Sequence, residues 1–357
     1  MLAGAQAVID RGLDWTSFFS FSAEHGTLNL VYKNLLKLRG VPESVLQRCE
    51  DVYHHTLRSN ILNIAEHDRT IDNLNHLGVD VISLKGPTAS EEIFGDIGVY
   101  PSGDIDILVR VEDIDKARDF LESDGYVLLD KGFDEYRDFF IGELYHISLA
   151  KGRYFIEPHW NLFFRYFKTP PEFWWEDSRT VARGDKAYRF LSPERNILYN
   201  SFRLFSKAFH HLRFLVMAAE LIRYYQHEID WEKMFLYARR YKFENVLRTV
   251  LKMSADLLGA PVPASCTEVR GIRARAIYKI ALKILLSGTG PHPPRKIMLS
   301  FMRDDLSGSF TVLLRRLFPS MGEIVSRYRL PTHSWRSVMY YILNPVFLVT
   351  RRHQGNQ

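Results

Sequence analysis

The middle of the chain changes from helical to strand periodicity, and this change limits the fold more than any other feature of the sequence. Before residue 77, apolar side chains recur at helical spacing, as at Val52, Leu57 and Ile61. From residue 79 the apolar runs are short, β-branched and bounded by glycine, which predicts buried strands. We expect strands at Val79–Leu84, Asp104–Arg110, Leu144–Ala150 and Tyr154–Trp160, and helices at Thr88–Phe94 and Glu112–Ser123. The sequence therefore predicts an α+β fold with a small mixed sheet.

Helical patterns return after the predicted sheet. Ser192-Pro193 is typical of a helix start with proline at the first helical position, and Gly259 of a helix end. Glycine and proline interrupt the later helices at 288–294 and at Pro319. We predict three units: N-terminal helices over residues 1–76, an α/β core over 77–165, and a helical region over 190–357.

Composition indicates an ordinary globular protein, with 46% hydrophobic and 25% charged residues. Cys49 and Cys266 are far apart and have no nearby ligand pattern, which argues against a disulfide framework or a structural zinc site. The first residues lack the basic start and apolar run of a secretion signal. We therefore expect a cytoplasmic protein.

One apolar segment near the end of the chain could in principle be a membrane-spanning helix. Ser337–Thr350 is shorter than the ~20 residues of a spanning helix and contains Asn344-Pro345. It should not span a membrane. Packing against the protein and shallow peripheral contact with a membrane both remain open.

Positive charge is concentrated at the end of the chain. Residues 267–357 contain fifteen Lys or Arg and four Asp or Glu, a balance of +11 that leaves −6 for the rest of a chain whose net charge is +5. Such a surface suits nucleic acid, anionic lipid or a polyanionic substrate. A basic surface that binds nothing is the alternative.

An Asp-x-Asp pair lies on the second predicted strand. Because side chains alternate along a strand, Asp104 and Asp106 should share one face while Ile105 and Ile107 point into the core. Paired carboxylates of this kind suit Mg²⁺ held jointly with substrate phosphates. The alternative is a solvated strand end.

A turn before this pair carries lysine and glycine. Lys85-Gly86 precedes a predicted helix, whose free N–H groups can bind phosphate oxygens while Lys85 adds a charge. We expect phosphate contacts at Lys85, Gly86, Ser102 and Gly103. The alternative is an ordinary connection with a surface lysine.

The last predicted strand supplies a third acid. Alternation puts Glu157 and His159 on one face, so Glu157 can bind metal and help to deprotonate an attacking hydroxyl. His159 and His146 are more simply explained as packed strand histidines. Farther along, Arg203 and Lys207 share a helix face and could line a phosphate site or a solvated surface.

Three segments together resemble a bacterial nucleotidyltransferase family that carries a Leu-Lys-Gly motif and belongs to the polymerase-β-like superfamily. They are Val81–Gly86, Gly103–Val109 and Ile156–Trp160. Further similarity lies at Leu191–Glu194, Leu212–Leu215 and Leu317–Ser320. The resemblance thus covers nearly the whole chain. Family members usually carry an arginine shortly before Gly-Asp-x-Asp, where this chain has residues 100–102.

The resemblance implies a minimal nucleotidyltransferase core, with Asp104, Asp106 and Glu157 as catalytic residues and metal ligands. It implies two Mg²⁺ ions and an NTP such as ATP, whose identity stays open, that gives its NMP to a hydroxyl acceptor and releases pyrophosphate. The acceptor could be a polyanion such as RNA, a small hydroxylated molecule or a protein. A nucleotide-binding or regulatory module with weak or no catalysis is the alternative, and a helical scaffold with an incidental Asp-x-Asp is a third possibility.

Overall fold

The predicted α+β architecture is confirmed, because helices at both ends of the chain flank a five-stranded mixed sheet. The computed structural model describes residues 2–130, 132–163, 167, 169–184, 186–287, 303–328, 330 and 335–350. Its strands are β1 (Ile82–Ser83), β2 (Ile105–Leu108), β3 (Val127–Leu128), β4 (Leu149–Lys151), β5 (Tyr154–His159), β6 (Arg179–Arg183) and β7 (Lys186–Phe190).

Helices account for most of the remaining described chain. They are α1 (Leu2–Asp10), α2 (Trp15–Glu24), α3 (Leu28–Leu35), α4 (Glu43–His76), α5 (Pro87–Phe94), α6 (Ile114–Ser123), α7 (Arg137–Glu143), α8 (Pro193–Ser206), α9 (Leu212–Tyr224), α10 (Trp231–Arg240), α11 (Glu244–Leu258), α12 (Gly271–Ser287), α13 (Leu306–Leu317), α14 (Met321–Tyr328) and α15 (Trp335–Thr350).

The main sheet has the strand order β1-β2-β5-β4-β3, and β6 and β7 form a separate hairpin. Strand β2 runs parallel to β5, and the other neighbouring pairs are antiparallel. Ile105, Ile107 and Ile156 belong to an apolar core on one face of the sheet. Alternation then directs Asp106 and Glu157 to the opposite face, so the predicted inward direction of the isoleucines is confirmed.

Several strands differ from the prediction. Strand β1 keeps only two residues of the predicted Val79–Leu84, and β4 begins at Leu149 instead of Leu144. The sequence did not predict β3, or the β6–β7 hairpin within Arg179–Phe190. Two residues are too few to leave a periodic signal, and the hairpin's arginines and lysine hide its alternation. Short apolar runs thus predicted the positions of these strands better than their lengths.

The predicted helix boundaries hold at several capping residues. Helix α4, which begins directly after Pro42 and continues for 34 residues, lies within the predicted N-terminal helical unit. Ser192 caps α8 with its side chain and Pro193 is the first helical residue. Gly259 ends α11 in the left-handed conformation. The predicted interruption at 288–294 lies outside the described residues, and the division of the chain into three units stays a prediction.

Helix α15 contains Ser337–Thr350, the apolar segment considered above as a possible membrane span. In the part of the chain that the structure describes, no helix is long and apolar enough to cross a membrane. Asn344 is buried, and its side-chain amide donates to the Leu317 carbonyl of α13 at 2.9 Å, so α15 packs against the protein. Trp335 and Ile342 are exposed, and peripheral membrane contact stays an untested prediction.

Candidate active site

Three carboxyl groups lie near the pairing of β2 and β5. Asp106 on β2 is opposite Glu157 on β5 in the parallel register. The Asp106 side chain is fully buried, whereas that of Glu157 is 25% exposed. Asp104 directly precedes β2, so it lies outside the observed strand although the predicted strand included it, and its side chain is 35% exposed. The predicted acids therefore sit at different depths, with Asp106 innermost.

His159 joins these acids. Its Nε2 lies 3.0 Å from Asp106 Oδ1 and 3.6 Å from Glu157 Oε2. Asp106, Glu157 and His159 offer ligand atoms that all lie within 4.8 Å of one another. Burial lowers the pKa of His159, and burial with the neighbouring His159 lowers the pKa of His146 to about 4. The two rings stack at 4.8 Å, so both histidines are packed as the sequence suggested, and His159 also contacts two site carboxylates.

Lys85 lies between the two aspartates. Its Nζ is 2.8 Å from Asp104 Oδ2 and also contacts Asp106 Oδ2. Burial and the nearby Arg203 lower the pKa of Lys85 to about 8, against the attraction of Asp104. Burial disfavours the ionised Asp104, but the Lys85 ammonium outweighs burial and lowers the pKa of that carboxyl. The lysine that sequence assigned to phosphates therefore contacts the acids in this structure.

The glycine turn after Lys85 packs against the loop that leads to β2. Gly86 has φ 107° and precedes α5, and a Cβ there would come within 3.3 Å of Ser102 Oγ. That hydroxyl in turn donates to the Asp104 carbonyl at 2.9 Å. Positive φ and the close approach both favour glycine at this position. Gly86, Ser102, Gly103 and Asp104 are thus neighbours, as the predicted phosphate contacts require.

Three asparagines of the N-terminal helices hold this loop, and sequence reasoning missed them. Asn29 donates to the Gly98 carbonyl at 3.3 Å, Asn60 to that of Tyr100 at 2.9 Å, and Asn63 to that of Ser102 at 3.0 Å. All three asparagines are buried. Buried amides that satisfy loop carbonyls fix the loop's path. Asn29 lies on α3 and the other two on the long helix α4, so their positions in the sequence give no signal of a shared role.

A cleft of about 660 Å³ opens beside these groups. Its lining includes the acids Asp104 and Glu157 and four basic residues: Lys85, Arg203, Lys207 and Arg213. The volume lies within the ~300–1,000 Å³ typical of small-molecule sites. Carboxylates and basic side chains therefore line one open cleft.

The basic wall of the cleft comes from the junction of α8 and α9. Arg203 stacks over the Phe214 ring at 5.0 Å and donates to the Asn200 side chain at 3.3 Å. Between the helices, Ala208 and Phe209 both have positive φ, at 55° and 60°. Consecutive left-handed residues other than glycine are costly and are maintained only by the surrounding packing. This turn sets the relative directions of Arg203 and the following helix.

Arg213 at the start of α9 was not predicted as a site residue. It packs against Gly26, where a Cβ would lie 2.8 Å from Arg213 Cδ. Gly26 has φ 64°, so backbone and space both favour glycine there. The only signal in sequence is that Arg213 falls within a segment of family resemblance. For Arg203 and Lys207, by contrast, the sequence offered either a phosphate site or a solvated surface. Both residues line the cleft, as a phosphate site would require.

The donor set fits a divalent cation. Carboxylate oxygens are the ligands that Mg²⁺ prefers. Among the described residues, Asp106 Oδ2 is buried without a hydrogen bond of good geometry, although the Lys85 ammonium contacts it. A cation near Asp106 would satisfy this oxygen. Asp104, Asp106 and Glu157 could hold the metal, and His159 offers a nitrogen beside them.

A family model described as an uncharacterised nucleotidyltransferase matches residues 11–259. No curated protein and no solved structure matches the chain significantly. The matched range includes the sheet, the acids, Lys85 and the basic wall of the cleft. It covers well over half of the 357 residues. The chain therefore belongs to this nucleotidyltransferase family.

Proposed function

We propose that the protein is a Mg²⁺-dependent nucleotidyltransferase that moves an NMP from an NTP to a hydroxyl acceptor. The observation that carries this proposal is the single cleft whose lining includes both carboxylates and basic residues. A triphosphate needs positive charge, and phosphoryl transfer needs little from a protein beyond positioning and charge neutralisation. One cleft offers both.

The acids are assigned to metal binding. Asp104, Asp106 and Glu157 would hold Mg²⁺, which when bound would neutralise charge on the reacting phosphate and activate the hydroxyl. Burial opposes ionisation of Glu157, but the hydrogen bond with His159 lowers its pKa, so this carboxyl is suited to bind a metal as a carboxylate. The hydroxyl proton passes finally to bulk water.

The basic residues are assigned to the triphosphate. Arg203 and Arg213 present planar guanidinium groups that can bind phosphate oxygens in pairs, and Lys207 adds a point charge. Lys85, with the Gly86 turn at the start of α5 and the loop at Ser102 and Gly103, would contact the phosphates nearest the metal. These arginines would also supply the charge that relatives place shortly before Gly-Asp-x-Asp.

The reaction balances without any further reactant. The acceptor oxygen forms a bond to the α-phosphorus, and the bond from that phosphorus to the α–β bridging oxygen breaks. Pyrophosphate leaves with the bonding electron pair, and the acceptor hydroxyl loses its proton. The chain's part is to hold the α-phosphate between the acids and the basic wall.

For the acceptor, only a chemical class is proposed. The +11 balance of residues 267–357 favours a polyanion such as RNA over a neutral small molecule. Arg315 from this region is ion-paired with Glu143 at 3.6 Å, while the side chains of Arg316 and Arg327 and the whole of Arg329 lie outside the description. We infer that this basic region recruits the acceptor. A cytoplasmic location stays the expectation.

A second candidate is a nucleotide-binding module without catalysis. Its support is the Lys85 ammonium, which contacts Asp104 and Asp106 where the metal would bind. A lysine that stayed there would replace the metal in neutralising the acids. Such a module would bind one NTP per chain and release no pyrophosphate.

The test is transfer of label from each α-labelled NTP with Mg²⁺, using total RNA and a panel of sugars and aminoglycosides as acceptors. We expect label on one acceptor class, pyrophosphate in equal amount, and neither product from the Asp104→Asn, Asp106→Asn double variant. Stoichiometric NTP binding without transfer would favour the module. No NTP binding under any condition would contradict both.

A further inference from the structure

A large apolar ring is exposed inside the cleft. Phe155 on β5 is 45% exposed and lines the same cleft as Glu157, two residues later on the same strand face. Ile156 between them is buried in the core on the other face. Neither metal binding nor the phosphates use a phenyl ring. The proposed reaction therefore leaves Phe155 without a role.

A buried hydrogen-bond acceptor also lines this cleft. Asn60 of α4 is fully buried, and its Nδ2 donates to the Tyr100 carbonyl at 2.9 Å and also to the Ile97 carbonyl. Both partners are acceptors, which fixes the orientation of the amide. Its Oδ1 has no hydrogen-bond partner among the described residues. An unpaired buried acceptor costs roughly 1–3 kcal/mol, so a ligand N–H or O–H would relieve it.

The ring and the amide line the cleft from two different elements, β5 and α4. Arg153, two residues before Phe155, donates to Ser59 Oγ at 2.8 Å. Ser59 is next to Asn60 on α4 and also lines the cleft. This hydrogen bond connects the start of β5 to α4, so Phe155 and Asn60 border one space from two connected elements.

We propose that Phe155 and Asn60 form the nucleobase subsite, in which Phe155 stacks on the base and Asn60 Oδ1 accepts a base N–H. This proposal rests on the proposed function, because it takes the basic wall to hold the triphosphate of the same nucleotide. Every base has a face that stacks on an aromatic ring, and every base carries an amino or imino donor. The pair thus binds and orients the base without acting on the reacting phosphorus.

The test compares two ligands that differ only by the base. The NTP that binds most tightly of the four and base-free ribose 5′-triphosphate are titrated by calorimetry into wild type and variants. We expect wild type to prefer the NTP by at least about tenfold, as stacking on one aromatic side chain predicts. Phe155→Ala should remove most of that preference and leave ribose 5′-triphosphate affinity unchanged, and Phe155→Trp should restore the preference.

Controls separate this proposal from the function on which it rests. Val127→Ala changes another exposed strand residue, outside the cleft, and should change neither affinity. Asn60→Ala is judged by the ratio of the two affinities, since a shift of the loop it holds would weaken both ligands together. If that variant does not fold, Phe155→Ala alone decides.

Each outcome supports or overturns a defined claim. Equal affinity of wild type for the two ligands, or an equal loss of both in Phe155→Ala, would overturn the base subsite while keeping the triphosphate site. A preference that survives Phe155→Ala would also overturn it. Failure of wild type to bind either ligand would instead contradict the proposed function.

Discussion

Two partly buried groups of charged side chains lie near the sheet, and they differ in how completely their charges are paired. The α4–α6 ion network consists of Glu66, Arg69, Asp124, Tyr126 and Lys151. Arg69 bonds to Glu66 at 2.6 Å and to Asp124 at 2.8 Å, and Lys151 bonds to Asp124 at 2.7 Å. Two acids are thus balanced by two bases.

The candidate site is not balanced in this way. Asp104 and Asp106 share ion pairs with one ammonium, that of Lys85, and Glu157 contacts His159, whose pKa burial lowers. Among the described residues, Asp106 Oδ2 and His159 Nδ1 are buried without a hydrogen bond, whereas the α4–α6 ion network has no such atom. A satisfied network stabilises a fold, and an acidic excess with unsatisfied atoms indicates a site that binds a cation. Changes in the two groups should therefore act on different properties.

The largest effect should follow loss of an aspartate at the site. Asp104→Asn and Asp106→Asn should each reduce Mg²⁺-dependent transfer by more than about 100-fold, because even outer-shell partners of a metal contribute 10–100-fold. Folding should persist, since the variants reduce an excess of negative charge. Label transfer and thermal unfolding measure the two properties. Wild-type turnover in either variant would contradict the metal-ligand assignment.

Removal of the third acid should have a smaller effect on rate. Glu157→Gln should lower transfer by roughly 10–100-fold and leave NTP affinity largely intact, because Glu157 is assigned to the metal and not to the triphosphate. Calorimetry with NTP and Mg²⁺, beside single-turnover rates, makes the comparison. Loss of binding with no separate change in rate would move Glu157 to a structural role.

A change in the α4–α6 ion network should reverse this pattern. Arg69→Met should reduce the free energy of unfolding by roughly 1–3 kcal/mol, because Glu66 Oε2 and Asp124 Oδ1 each lose a hydrogen-bond donor, while activity per folded molecule stays near wild type. Denaturant unfolding and label transfer test both parts. A loss of activity without a loss of stability would show that the two groups of charges are coupled.

The same network predicts a pH dependence. The hydrogen bond from Arg69 lowers the pKa of Asp124 below its ordinary 3.8. A carboxyl whose pKa is lower in the folded state stabilises the fold above its unfolded pKa and loses that contribution as pH falls through the folded value. Stability of wild type should thus fall below about pH 4, and Arg69→Met should flatten that fall. Parallel curves would remove Asp124 from the acid response.

The smallest effect is expected from the loss of Lys85, and it tests two roles of this residue. Lys85→Ala should weaken NTP binding by about tenfold through loss of one charge-assisted contact, yet it should strengthen Mg²⁺ binding without nucleotide, because it removes the ammonium that contacts Asp104 and Asp106. Calorimetry with each ligand separates the two effects. Lys116→Ala, an exposed lysine outside the cleft, is the matched control. Unchanged affinity for both ligands would contradict the phosphate and metal-competition roles together.

The acids could be predicted as candidate site residues because the pattern that points to them lies within short stretches of consecutive residues. Alternation along β2 and β5 predicted which side chains share a face, and it holds for Ile105, Ile107 and Ile156 in the core. Helix starts and ends at Pro193 and Gly259 follow from backbone restrictions of single residues. The extent of β1 and β4 could not be predicted in the same way, because pairing depends on a neighbour that is distant in the sequence.

The sequence by itself determined the α+β class, the alternation of Ile105 and Ile107 with Asp106 along β2, and the family, because periodicity and short motifs are properties of consecutive residues. Only the tertiary structure decided that Arg203 and Arg213 face the acids across one cleft, that Asn60 and Asn63 hold the loop before Asp104, and that Lys85 contacts both aspartates. Some of these residues are more than a hundred positions apart in the sequence. Their geometry comes from helix packing and from the left-handed turn between α8 and α9, which no local pattern encodes.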